Sequence, residues 1–310
     1  MEVYHDINEV QEIRNAIVTA GSYDGVHKGH QKILHRLNEI KSVSGGETVV
    51  ITYWPHPRTI VSEDKVAPKI LYTLRERIEI LKKFSIDHLL IINFTKEFSQ
   101  MSPEEYVQKI LLERIRTKRI IIGYDHRFGK NREGGIEFLI SHKKRFGFEV
   151  EEIPREDVEN IGISSSKIRK ALLEGDILTA NNYLGMSFHI QGKVVKGDQI
   201  GRKIGYPTAN IQVADNDKLI PKDGVYAVRT IVKGNSFNGM LNIGFRPTVG
   251  GTRKVIEVNI FDFDEEIYEE EVEVVFIQWL REETKFNSLD ALKAQLAIDK
   301  ENARKILNDL

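Results

Sequence analysis

Two histidines, His27 and His30, stand three residues apart in GSYDGVHKGHQKIL, residues 21–34. Imidazoles so spaced can ligate a metal, pack as a hydrogen-bonded pair, or offer N–H groups to an anion. A metal site needs further ligands; no matching cluster stands nearby, and His35 lies off the pair's face. Gly21, Gly25 and Gly29 permit tight turns and close backbone approach. A helix is expected to begin at His30, and its unpaired N–H groups and dipole would favour an anion.

Three further polar stretches carry candidate chemistry: YWPHP (53–57), GYDHRFGKNREGG (123–135) and GISSSKIRKAL (162–172). In the last, Ser164, Ser165 and Ser166 precede a helix bearing Lys167 and Arg169. Hydroxyls, helix N–H groups and an arginine suit a pyrophosphate. The same residues also suit a helix cap with a solvated basic face.

The C-terminal part holds KGDQIGRKIGYPTANI (196–211), with Gly197, Gly201 and Gly205 every four residues. The pattern lacks the Gly-Lys-Ser/Thr ending of a Walker loop. It reads as a flexible connection or as a loop over a ligand. Thr208 and Asn210 are two apart, so on extended backbone their oxygens point the same way and could meet one hard cation. Glu257, in VIEVNIFDF (255–263), shares a strand face with Val255. It is either a solvated strand glutamate or a carboxylate facing a site. The acids at 262–273 read as a solvated hairpin and strand.

The elements that position these residues follow from periodicity. Runs at 16–20, 48–53, 88–92, 119–123 and 148–153 are rich in Val and Ile, as in strands buried on both faces of a parallel sheet. Helical patterns fall at 29–42, 73–84, 103–116 and 134–146. The alternation predicts an α/β doubly wound domain with its ligand at the carboxyl ends of the strands, where all three polar stretches lie. A helical stretch at 165–184 joins a second domain. There, segments 188–195, 225–232, 237–243, 254–261 and 271–278 alternate with period two before a helix at 288–309. That predicts a small antiparallel β-barrel or sandwich with a C-terminal helix. The expected domains are 1–184 and 185–310, as the length of 310 residues favours two.

Composition excludes several classes. Basic and acidic residues number 28 and 27 up to residue 185, and 17 and 19 beyond it, so neither domain is a basic nucleic-acid platform. Cysteine is absent, which excludes disulfides, thiolate zinc sites and thiol nucleophiles. No signal-peptide pattern and no membrane-length apolar run is evident, so a cytoplasmic location away from membranes is expected.

Taken together, G-x-(F/Y)-D-G-x-H-x-G-H, the P-H-P of 55–57, the G-x-(D/N)-x-x-F-G of 123–129 and the late I-S-S-(S/T)-x-I-R resemble the nucleotidyltransferase superfamily. The resemblance is closest to the adenylyltransferase half of bacterial bifunctional riboflavin kinase/FAD synthetases. G-R-x-I-G-x-P-T-A-N, N-I-G-x-R-P-T and V-E-x-x-(I/L)-F-D-F resemble the riboflavin kinase module over about 186–310. His126 stands where the family usually has Phe, and Ser166 where it usually has Thr.

The resemblance implies that riboflavin is phosphorylated to FMN, and FMN then adenylated to FAD and pyrophosphate, with ATP as co-substrate and Mg²⁺ as cofactor. It implies catalytic roles for His27, His30, Arg169 and Glu257. ATP contacts fall to Gly21, Tyr23, Asp24, Gly29, Asp125 and Ser164 to Ser166, and in the second module to Gly197, Gly201, Arg202 and Gly205. Flavin contacts fall to His56, Pro57, Asp125, Arg127 and Asn242, and metal ligation to Thr208 and Asn210. A monomer or weak homo-oligomer is expected. Two alternatives stand beside this reading. One is another nucleotidyltransferase, cytidylyl- or pantetheine-phosphate adenylyltransferase, fused to an unrelated flavin-binding barrel. The other is a non-catalytic flavin-binding regulator, which would have lost the phosphate-binding and base residues.

Overall fold

Near-continuous apolar segments build the N-terminal half around one parallel sheet, seen in a computed structural model that describes residues 1–61, 67–124, 126–154, 162–197, 199–248 and 251–309. The chain divides into two compact units, Met1–Ser165 and Ser166–Leu310. Residues 166–184, placed with the first domain on sequence, therefore pack with the second unit.

In the first unit the strands are β1 (Glu2–Tyr4), β2 (Ile17–Ala20), β3 (Thr48–Trp54), β4 (His88–Asn93), β5 (Arg119–Gly123) and β6 (Glu149–Ile153). All pair in parallel, in the order β1-β4-β3-β2-β5-β6. The chain winds outward from β2 through β3 and β4, then returns to add β5 and β6 on the other side. The reversal opens a crevice between the carboxyl ends of β2 and β5, where such sheets bind ligands.

Helix α1 (Lys28–Ser44) follows β2 and ends at Gly45, whose φ of 67° is the left-handed C-cap conformation. Its Ile33, Leu37 and Ile40 pack with Ile17, Ile121 and Ile153 on one sheet face. On the other face, Val18, Ile51, Leu90, Ile120 and Ile122 meet Tyr106, Val107, Ile110 and Leu111. Helices α2 (Pro57–Val61), α3 (Leu74–Lys82) and α4 (Lys96–Ser99) also belong to this unit. So do α5, which starts at Pro103–Tyr106, and α6 (Ile136–Phe146).

Three sequence expectations need correction here, and one strand of this unit was missed. Helix α1 begins at Lys28, because His27 supplies its N-cap, and His30 lies inside the first turn. The helix expected at 103–116 winds as a π-helix over Val107–Arg114, where Ile115 N–H reaches the carbonyl of Ile110 at 3.2 Å. The apolar spacing does not distinguish the two windings. β6 is an edge strand with half-exposed or exposed glutamates, one of which, Glu151, pairs with Arg36 at 2.6 Å. The edge strand β1 was not anticipated; three residues carry too little pattern.

The second unit opens within α7 (Ser165–Glu174), at Ser166, and continues with α8 (Ile177–Leu184), two helices where one stretch was expected; Gly175 and Asp176 break it. The strands are β7 (His189–Val195), β8 (Ala209–Gln212), β9 (Gly224–Val232), β10 (Asn235–Thr248), β11 (Gly251–Ile260) and β12 (Glu271–Arg281). They close an antiparallel barrel in the order β10-β11-β8-β7-β12-β9, which decides between barrel and sandwich. A single turn of helix, α9 (Ile200–Lys203), sits in the glycine-punctuated loop. The C-terminal helix α10 (Leu289–Asn308) packs Ala303 and Leu307 against Ala227, Met240, Phe261 and Ile277 on the barrel's outer face. Alternation then turns Tyr226, Val228, Leu241 and Ile243, all fully buried, inward. Asn181 of α8 clips that helix to the barrel: its Nδ2 donates to the Phe276 carbonyl at 2.9 Å, and its Oδ1 accepts from Phe188 N–H at 2.7 Å.

Candidate active sites

The turn between β2 and α1 is tied down on several sides. Gly21 N–H donates to Ile51 at 3.0 Å, and a Cβ at this glycine would press on the Tyr23 ring at 3.2 Å. Tyr23 is buried with its hydroxyl on Thr19 at 2.9 Å, and burial pushes its phenol well up. Asp24, also buried, accepts the Leu71 N–H at 2.9 Å, and Ser165 donates to the Asp24 carbonyl at 2.8 Å. Gly29 is a buried member of α1's first turn.

His27 and His30 stack, with ring centroids 3.8 Å apart and 14° between planes. The Nδ1 of His27 accepts the His30 backbone N–H at 3.4 Å. That bond fixes an unprotonated Nδ1 on His27 and so its proton on Nε2. His30 Nδ1 is buried and has no hydrogen-bond partner among the described residues. Burial, and then the charges of His27 and Arg77, hold the His30 imidazole well below its ordinary value. His30 is therefore a neutral donor near pH 7.

Of the other expected residues, His56 and Pro57 follow β3, Arg127 follows β5, and Ser166 and Arg169 fall in the second unit. His56 is buried; its Nδ1 accepts the Arg58 N–H at 3.2 Å, so it caps α2, of which Pro57 is the first residue. Arg127 is exposed and donates to the His126 carbonyl at 3.1 Å. His126 stacks on Phe128 at 5.8 Å. Asp125 lies outside the described residues. Ser164 directly precedes α7, and Arg169 lies one turn after Ser165 on the same face of that helix. Ser166 falls between them.

In the barrel, strand pairing assembles a row. Glu257 on β11 stands opposite Asn210 on β8 and opposite Asn242 on β10. Directly opposed residues share a sheet face, here the outer face that also carries Met240. Glu257 is 9 % exposed, and its Oε2 accepts from Arg246 Nη2 at 2.5 Å. A Cβ at Gly197 would collide with the Asn210 amide, and one at Gly201 with the Tyr206 carbonyl, 3.5 Å from the Thr208 hydroxyl. The glycine loop thus lies directly over the two candidate cation ligands. Gly205, at φ 83°, ends α9 in a left-handed turn. Arg202 is exposed and reaches Glu266 at 4.0 Å.

A stacked imidazole pair at a strand-to-helix turn, and a carboxylate between two asparagines under a glycine loop, are different machines. The comparisons agree. The FAD synthetase family model matches residues 9–167, and the riboflavin kinase model matches residues 184–307. The chain belongs to the bifunctional riboflavin kinase/FMN adenylyltransferase family. It phosphorylates riboflavin with ATP and adenylates FMN.

A member from Buchnera aphidicola is 39% identical over 99% of both chains. One from Listeria monocytogenes is 38% identical over 94% of this chain and 92% of its own. A crystal structure described as a macrolide-efflux protein from Streptococcus pneumoniae superposes with a TM-score of 0.88 at 31% identity over 98% of both chains. Among the described residues no helix is long and apolar enough to cross a membrane.

Three bifunctional-family site neighbours escaped the sequence reading. Arg77 of α3 is fully buried, on the face that also carries Ile80 and Leu81; an arginine at an inward position was the signal. Asn259, two residues from Glu257 on the same face, donates to the Pro207 carbonyl at 2.6 Å and fixes the Pro-Thr-Ala-Asn turn. Arg246 stood in a quoted motif without a role, yet it is the residue that holds Glu257.

Proposed function

We propose that the two reactions divide between residues 1–184 and 185–310, with adenylyl transfer at the His27–His30 turn and phosphorylation at the Asn210–Glu257–Asn242 row. The observation that carries the assignment is that row. It sets a carboxylate between a candidate cation ligand and a candidate flavin contact, under the loop where ATP would lie.

A riboflavin hydroxyl must lose its proton to attack a phosphorus, so this site needs a base. Glu257 suits that role, because Arg246 engages Oε2 and no other hydrogen bond to the carboxylate exists among the described residues. Thr208 and Asn210 offer a hydroxyl and an amide oxygen, hard donors that fit Mg²⁺. The cradle beneath Gly197 and Gly201 fits the same group. When bound, Mg²⁺ would neutralise charge on the ATP phosphates.

FMN's phosphate, already ionised, needs no base to attack. What adenylyl transfer needs is stabilisation of charge on the transferred and leaving phosphates. His27 and His30 suit this as N–H donors at the start of α1. Ser164, Ser165, Ser166 and Arg169 suit the leaving pyrophosphate. Gly21, Tyr23, Asp24, Gly29 and Asp125 shape the nucleotide's seat in this reading, and His56, Pro57, Asp125 and Arg127 its flavin side. Gly197, Gly201, Arg202 and Gly205 cover the kinase's ATP. The near-neutral charge supports small-molecule substrates rather than nucleic acid. The enzyme works in the cytoplasm as a monomer or weak homo-oligomer.

The test is to incubate purified protein with riboflavin, ATP and Mg²⁺ and separate the flavins by chromatography. Glu257→Ala should lower FMN formation by about 10²–10⁴-fold and leave FAD formation from supplied FMN intact. His30→Ala should do the reverse. Loss of both reactions in each folded variant would overturn the two-site assignment.

A further inference from the structure

Arg77 is the largest fully buried side chain among the described residues. A lone guanidinium inside a protein is costly, because desolvation opposes a charge that arginine does not surrender. Burial indeed acts to lower its value, and the Asp24 carboxylate acts to raise it. Its Nη1 donates to Thr52 Oγ1 at 3.2 Å and more distantly to the Tyr53 carbonyl at 3.4 Å. Its guanidinium lies 5.6 Å over the Trp54 ring. Nε and Nη2, both buried, have no hydrogen-bond partner among the described residues. A merely structural buried arginine would use its fork more fully.

The connections of this cation run to the turn. Thr52 donates to the Ser22 carbonyl at 3.1 Å, inside the segment that joins β2 to α1. Asp24, whose charge acts on Arg77, holds the Leu71 N–H from the same segment. His30, whose buried Nδ1 is likewise unpartnered, feels the Arg77 charge.

We propose that Arg77 is a positioning residue for adenylyl transfer: a buried fixed cation that ties α3 to the β3 threonine holding the β2–α1 turn, and sets the field in which His30 works. The inference rests on the role proposed above for His30. The titratable and charged groups around that imidazole are His27 on its own turn, Tyr23 of the glycine turn and Arg77 of α3, with Asp24 set against Arg77. Each cation nearby disfavours a proton on His30. Arg77 thereby keeps a second positive charge from forming where His30 is to donate as a neutral ring. A guanidinium donates and never accepts.

The test compares Arg77→Lys with Arg77→Met in the full-length chain, following FAD formation from FMN and ATP between pH 5 and 8. Removing the cation raises the His30 value, although burial still lowers it. Arg77→Met should therefore show its acid limb at higher pH than the wild type does. Its kcat should fall about tenfold or more, with KM for ATP changed less than about threefold. Arg77→Lys keeps the charge and loses the fork, so its kcat should fall without that shift of the limb. Riboflavin phosphorylation should be unchanged in both. Equal losses with unmoved pH profiles would mark a merely structural arginine and overturn the proposal, as would wild-type rates in Arg77→Met.

Should Arg77→Met not fold, ¹⁵N-histidine NMR of the wild type and Arg77→Lys decides. His30 should titrate below the ordinary imidazole value in both; an ordinary imidazole titration in the wild type overturns the proposal. Adenylation that survives His30→Ala would instead remove the histidine reading, a separate failure.

Discussion

Burial disfavours charge on two imidazoles of the N-terminal unit, with different consequences. At His30 it preserves a neutral donor. At His126 it has a thermodynamic effect. Burial, and then Arg127 and Arg132, push His126 from 6.5 down to about 4. In the unfolded chain this group takes a proton below about pH 6.5. The unfolded state therefore binds more protons between pH 6.5 and 4, and the stability present above 6.5 is lost as pH falls through that window. His30 adds to the loss with the same sign. His126→Phe, the residue usual in the resembling family, should keep the ring contact with Phe128 and remove one of the two contributions. Its melting temperature should fall less steeply between pH 6.5 and 4.5 than that of the wild type. Parallel melting curves would show that His126 is solvated.

At the scale of elements, a short loop sets what a strand can bind. Gly197 lies so close to Asn210 that a methyl group there must displace the amide. Gly197→Ala should raise the kinase KM for ATP at limiting Mg²⁺ by about tenfold, about 1.4 kcal/mol, and leave KM for riboflavin within about twofold. An unchanged KM for ATP would remove Asn210 from the metal and nucleotide site. Much of this architecture was legible: the Val- and Ile-rich runs marked β2 to β5, and period-two alternation marked β7 and β9 to β12. What was not legible depends on contacts distant in sequence. β6 becomes an edge only once the strand order is known. His27 becomes a cap only when its ring turns back onto His30 N–H. The Glu257 row exists through the registers of β8, β11 and β10, which no local pattern specifies. Arg77 shares its inward face with Ile80 and Leu81, and its link through Thr52 to Ser22 spans three elements.

At the scale of the whole molecule, the chain couples two reactions through a shared flavin: FMN is the product of one and the substrate of the other. The row at Glu257, with Thr208 and the glycine loop, is built entirely from barrel residues. The turn at His27 and His30, with Arg77, is built entirely from the sheet unit. Neither of these sets borrows a residue from the other. A variant disabled in one should therefore be complemented by a variant disabled in the other, through FMN in solution. Alone, Glu257→Gln should form almost no FMN from riboflavin, and His30→Ala should accumulate FMN without FAD. An equimolar mixture given riboflavin, ATP and Mg²⁺ should produce FAD after a lag while free FMN accumulates. The lag should shorten as protein concentration rises, because both steps then run faster. If the mixture made FMN but no FAD, while Glu257→Gln still adenylated supplied FMN, FMN would not be exchanging between molecules. Such an outcome would require the flavin to be passed within one chain.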